Sequence, residues 1–193
     1  MAVDVREPEL NGAAELRSAY EAKARAELAD ADALIGARPG AWDGEVVGPR
    51  IAFVVARRSA DGSGFVDATT AGALEKAAGA LGASGSVFMI ASWPVAAATS
   101  GPRCARLRLA LEAVDAPVVI ALDQAGADDL AAAFDVPELR PGHPVRAFGR
   151  HLGAVGDFAA SLGDADAKSR AWIGMKSVAA AAGLETKGRP KAP

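Results

Sequence analysis

The chain has 193 residues with a formal net charge of −3, 51% hydrophobic and only 5% aromatic residues. That length accommodates one ordinary domain with a proper core, and the apolar content excludes disorder for its body. The net charge gives no global pull toward nucleic acid. The distribution of charge is uneven: residues 1–139 carry 12 Lys+Arg against 20 Asp+Glu, and residues 140–193 carry 9 against 4.

In chain order, residues 9–30 read as an amphipathic helix. Leu10, Ala13, Leu16, Tyr20, Ala24 and Leu28 recur at three- and four-residue spacing among charged residues. Such a helix lies on its own domain or docks on a protein partner. Residues 36–49 are broken by Gly36, Pro39, Gly40, Gly44, Gly48 and Pro49. Ile51–Val55 is then a continuous apolar run of strand length, the mark of a strand buried on both faces. A helix is expected over Thr69–Leu81, a second buried strand over Ser86–Ala91, and a helix over Pro102–Val114. Pro117–Leu122 reads as a third strand and Gly126–Phe134 as a short helix. This alternation predicts a parallel sheet with helical crossovers.

Beyond Pro137 the pattern shortens. Val145–Phe148 and Leu152–Val155 flank Gly149-Arg150-His151 as a strand with a tight turn or a hairpin. Asp157 and Asp164 are the expected N-caps of helices over 157–162 and 165–182. Residues 184–193, with Lys187, Arg189 and Lys191, are expected to form a flexible basic tail. The predicted architecture is an α/β/α three-layer sandwich, one domain over residues 1–183, with a short, mostly parallel four-stranded sheet.

No basic segment followed by an apolar run opens the chain, and no stretch approaches the roughly 20 apolar residues of a membrane span. The expected location is cytoplasmic. The single cysteine, Cys104, excludes an internal disulfide or a multi-thiolate cluster; its arginine neighbours could lower its pKa, but a lone cysteine on a helix facing a sheet is expected to be a core residue. The sequence calls for no cofactor and no metal.

Ligands of open α/β sheets bind beyond the carboxyl ends of the strands, which selects the loops 57–64, 92–101 and 123–126. Arg57-Arg58-Ser59-Ala60-Asp61-Gly62-Ser63-Gly64 combines cations, a carboxylate and flexible backbone suited to a phosphate, without a Walker or dinucleotide fingerprint. Trp93 offers an indole for stacking at one strand end, and Asp123 a carboxylate or an N-cap at another. His143 and His151 flank the Val145–Phe148 strand as candidate acid–base groups.

Gly64-Phe65-Val66 leading into a helix, the Ser86–Pro94 strand, the helix from Arg103 to Leu111 and the Pro117–Leu122 strand together resemble the uracil-DNA glycosylase superfamily over residues 50–160. The resemblance implies that Phe65 stacks on an extruded base, that the Ala91–Ser92 position faces the base edge, and that His143-Pro144-Val145 is similar to the family's His-Pro-Ser motif. Several positions depart from the family. Ala37, in Gly36–Gly40, stands where the water-positioning acid belongs, leaving Asp61 as the deputy, and the base-reading Asn is absent. The resemblance therefore implies a protein that binds DNA or a nucleobase-like ligand through Arg58, Phe65, Ser92, Trp93 and His143, with Asp61 and His151 as its candidate catalytic groups and hydrolysis impaired. Two other readings stay open: a non-enzymatic module that docks a protein through the N-terminal helix or basic tail, and a small-molecule enzyme using Asp61, Asp123 and a histidine.

Overall fold

A computed structural model describes residues 7–37, 41–58, 64–93 and 99–184, with side chains of the first segment described from residue 12. In chain order the elements are α1 (Glu7–Ala33), β1 (Trp42–Gly44), β2 (Ile51–Val55), α2 (Ala68–Ala80), β3 (Val87–Ala91) and α3 (Ser100–Val114). There follow β4 (Val118–Ala121), α4 (Gln124–Ala133), β5 (Val145–Ala147), β6 (Arg150–Ala154), α5 (Phe158–Ser161) and α6 (Ala165–Ala181). The expected 184–193 tail and Asp61 fall outside the described residues, except for Leu184. None of the described helices is long and apolar enough to cross a membrane.

The sheet is mixed and six-stranded, in the order β1-β3-β2-β4-β6-β5. This corrects the four-stranded expectation. Four inner strands run parallel, and an antiparallel strand is added at each edge: β1 beside β3, and β5 beside β6. The added β1 lies in the Gly- and Pro-broken stretch, where three residues are too few to show a period. The hairpin turns at Phe148-Gly149, both in the left-handed region (φ 48° and 82°), one residue earlier than the sequence suggests. Arg150 and His151 are consequently strand residues of β6.

The apolar runs are buried on both sides because alternate residues feed two cores. Ala52, Val54, Phe88, Ile90, Val119, Ala121, Leu152 and Ala154 face α1, α3 and α4. Ile51, Phe53, Val55, Val118, Ile120, Leu122 and Val155 face α2, α5 and α6. Aspartates start the later helices: Asp67, Asp123, Asp157 and Asp164 each accept backbone N–H bonds from the first turn of α2, α4, α5 and α6. The α1 helix meets the expected period only in part. Ala24, Leu28 and Ala31 are buried, while Leu16 and Tyr20 on the same stripe are 58% and 56% exposed.

Candidate functional site

The carboxyl ends of β2, β3 and β4 are tied together by backbone. Ser92 N donates to Val55 O (2.8 Å), Trp93 N to Ala56 O (2.7 Å), and Leu122 N to Val54 O (2.9 Å). From β2 the chain leaves toward α2 on one face of the sheet; from the adjacent β4 it leaves toward α4 on the other. This is the strand pair at which connections diverge, where open sheets leave a crevice. Asp123 bolts it: Oδ2 accepts from Ala56 N (2.8 Å) and Oδ1 from Gly126 N (2.6 Å). A Cβ at Gly126 would lie 3.1 Å from Asp123 Oδ1 and 3.3 Å from Ala56 N, so a larger residue would make Asp123 or the exit of β2 give by a few tenths of an ångström.

A cavity of about 210 Å³ opens at this point, its walls including Val55, Arg57, Phe65, Leu122, Asp123 and Asp157. Phe65 is 8% exposed. With Val66 it also walls a neighbouring cavity of about 480 Å³ that reaches Arg58 and Trp42. Two guanidiniums from the exit of β2 lie over aromatic rings: Arg57 is 4.7 Å from the Trp93 ring centre, and Arg58 is 5.1 Å from that of Phe65. Arg103 adds a second cation over Trp93 at 4.0 Å. Each such contact adds on the order of 0.5–2 kcal/mol, more where water is excluded. The Trp93 Nε1 is buried without a hydrogen-bond partner among the described residues.

The charges at the rim have unequal freedom. Arg103 is neutralised by Asp129 (2.8 Å), whose other oxygen accepts the Ser92 hydroxyl (2.7 Å). Asp67 takes Thr69 N, Thr70 N and the Thr70 hydroxyl, bonds that hold its carboxyl below the usual range, the Thr70 hydroxyl contributing most. The helix N-termini at the rim are thus occupied by the protein's own carboxylates, and Arg57 and Arg58 lie over aromatic rings beside them.

Of the residues singled out in the sequence, the structure gathers Arg58, Phe65, Trp93 and Asp123 at this rim. It moves Ser92 out of the crevice: the residue is fully buried and its hydroxyl is turned to Asp129. It also separates His151, which pairs with Val118 at the opening of β4. Three residue steps along β6 lead from it to Ala154, which at about 3.3 Å each puts His151 roughly 10 Å below the crevice. His143 is exposed, its N–H donating to Arg140 O (3.1 Å), and it precedes the edge strand β5. Cys104 is partly buried against the α1/α3/α4 core, as expected of a packing cysteine: burial and then Asp129 push its thiol up, outweighing Arg103. Arg57, read from the sequence as a cation of the 57–64 loop, is found over Trp93, a pairing the sequence did not show. Asp129 is the residue whose role was missed: nothing local marks it, and it meets Ser92 across 37 positions.

Among the described residues no group of three or more His, Cys, Asp or Glu is arranged to hold a metal. Comparison with known proteins finds no family model that matches the chain and no curated protein that matches it.

Proposed function

We propose that this protein binds single-stranded or locally opened DNA, taking a nucleobase into the crevice between β2 and β4 in the manner of a uracil-DNA glycosylase, without hydrolysing the glycosidic bond. The observation that carries this reading is a cavity of about 210 Å³ lined by Arg57 and Phe65, with Arg57 lying over the Trp93 ring and Arg58 over that of Phe65. Pockets for drug-sized ligands span about 300–1,000 Å³, so this one suits a single heterocycle rather than a whole nucleotide. Aromatic faces stack on any base and guanidiniums take phosphates, the combination that single-strand binders use. On binding, the arginines exchange their ring faces for the backbone and the base takes their place.

The impaired hydrolysis rests on the carboxylates. Asp123 spends both oxygens on backbone N–H groups, and Asp67 is held below the usual carboxylate range, the wrong direction for a general base. The histidine at position 151 lies at the other end of β6.

Fluorescence anisotropy with labelled single-stranded and abasic duplex DNA tests the binding. Micromolar or tighter affinity is expected, falling with salt, because each phosphate contact adds roughly 0.7 to 0.9 to the slope of log K against log salt. Arg57→Ala and Arg58→Ala should each reduce that slope by about one contact. Flat titrations remove the proposal; release of uracil or hypoxanthine from modified DNA would overturn the impaired hydrolysis alone.

A further inference from the structure

A cavity of about 650 Å³ lies in a groove between α2 and α6. Its floor is small and apolar along α2 (Gly72, Ala73, Ala77), and its far wall is large and apolar (Phe158, Trp172, Met175). Among the described residues the only charged ones lining it are Lys76 and Lys168, and Lys176 lies over the Trp172 ring at 5.6 Å. None of these three lysines makes an ion pair among the described residues. The groove therefore asks for an apolar ridge flanked by carboxylates.

The chain itself carries such a ridge. Helix α1 is 27 residues long, about 40 Å. Its later half is packed against α3 through Ala24, Leu28 and Ala31, while its earlier half continues the same stripe uncovered through Leu16 and Tyr20. Its earlier half, residues 7–23, is acidic, with four glutamates against Arg17 and Lys23. Its own groove is out of reach, because the sheet stands between the α1 face and the α2/α6 face. The segment following α6 is a poor occupant on charge: 185–193 holds Lys187, Arg189 and Lys191 against Glu185, and meets a lysine rim.

The geometry points to a second copy of this chain as the occupant: the uncovered half of α1, with Leu16 and Tyr20 as its ridge and its glutamates toward Lys76 and Lys168, docks between α2 and α6 of the neighbouring molecule. Helix 7–23 spans about 25 Å and α2 about 20 Å, so the two lengths match. The contact joins two different surfaces, so it is heterologous and grows into a ring or an open chain rather than a closed two-fold dimer. It is independent of the DNA-binding reading, which uses the carboxyl-end crevice.

Heterologous contact gives a decisive test by sedimentation velocity on the full chain. The wild type is expected to sediment faster as concentration rises, and less so at high salt. Leu16→Glu with Tyr20→Glu removes the ridge; Lys76→Glu with Lys168→Glu reverses the rim. All four positions are exposed, and a cooperative thermal melt verifies that each variant is folded. Each variant alone should associate about tenfold or more weakly, as loss of central interface residues does. Mixed one to one, they retain a single intact junction, α1 of the rim variant in the groove of the ridge variant, and should form a dimer that grows no further. A wild type that stays monomeric throughout overturns the proposal. So does a mixture that stays monomeric, and so does association that the ridge variant abolishes but the rim variant leaves untouched, since that pattern means α1 pairs with α1.

Discussion

The two faces of the sheet are built from the same strands but closed by different means. The face under α1, α3 and α4 carries the buried cations: Arg103, Arg106 and Arg150 are drawn into the packing with Asp129, Asp32 and Asp115, beside Trp42 stacked on Phe88 (6.1 Å between ring centres). The face under α2, α5 and α6 has no such pair among the described residues, and its helices come close through small residues. Two helices and the single turn of α5 do not cover it fully, and the groove remains. One face is pinned by charges that must stay matched, and the other is fitted by shape and left open.

The strongest expected effect breaks the first side of that contrast. Arg106 is 0% exposed, its Nε donates to Asp32 Oδ1 (2.8 Å), its Nη1 donates to Ala91 O, and its Nη2 lies 2.7 Å from the same Asp32 oxygen without a hydrogen-bonding angle. Burial pushes the guanidinium's pKa down, and Asp32 opposes it. Removing one partner strands the other in a dry site. Asp32→Ala or Arg106→Ala is therefore expected to cost about 3–5 kcal/mol in urea unfolding, a large share of a domain's 5–15. Asp32→Leu with Arg106→Met should recover most of it. If the double variant is as unstable as either single one, the pair is not what holds α1 to α3.

The second side is tested by shape. A Cβ added at Gly153 in β6 would overlap Val178 Cγ2 and sit 3.4 Å from Val178 Cβ on α6. A β-branched side chain in a helix has one strongly preferred rotamer and cannot step aside. Gly153→Ala should cost about 1–3 kcal/mol by overpacking. Adding Val178→Ala should return part of that, so the two changes are non-additive in a double-mutant cycle. Additive losses would mean that α6 shifts freely, and that this face is not set by close contact.

The same contrast explains what the sequence made legible. Ile51–Val55, Val87–Ala91 and Val118–Ala121 announced themselves because burial on both faces leaves no polar alternation to misread. The helices followed from their period and from Asp157 and Asp164, whose caps are local chemistry. What depends on distant partners was hidden. Trp42–Gly44 becomes a strand only because the edge of β3 is there to pair with. Leu16 and Tyr20 sit on the right stripe, yet the body ends beneath them. His151 looked like a rim residue, because a bulky Phe148 in a left-handed turn is a rare choice that moved the hairpin by one residue. At the site, the three strand-exit loops were chosen by a general rule, whereas the inward turn of Ser92 toward Asp129 required the fold.

The smallest effect separates the rim's carboxylates from its cations. Asp67 is fully exposed, and its hydrogen bonds, above all from the Thr70 hydroxyl, hold its pKa below the ordinary 3.8. A group depressed in the folded state contributes stability that is complete above its unfolded pKa and is lost as pH falls through the folded value. Between neutrality and about pH 5 Asp67 therefore adds nothing to the slope of stability against pH, and below the ordinary value of 3.8 it adds a downward one. In Asp67→Asn the acid limb of that curve should be shallower, while the neutral-pH slope stays as in the wild type and the asparagine still caps α2. Unfolding measured from pH 6 down to pH 2 checks this. An unchanged acid limb would mean that the charge on Asp67 does nothing for α2, leaving Arg57 and Arg58 to face a rim whose carboxylates are not held in place by their caps.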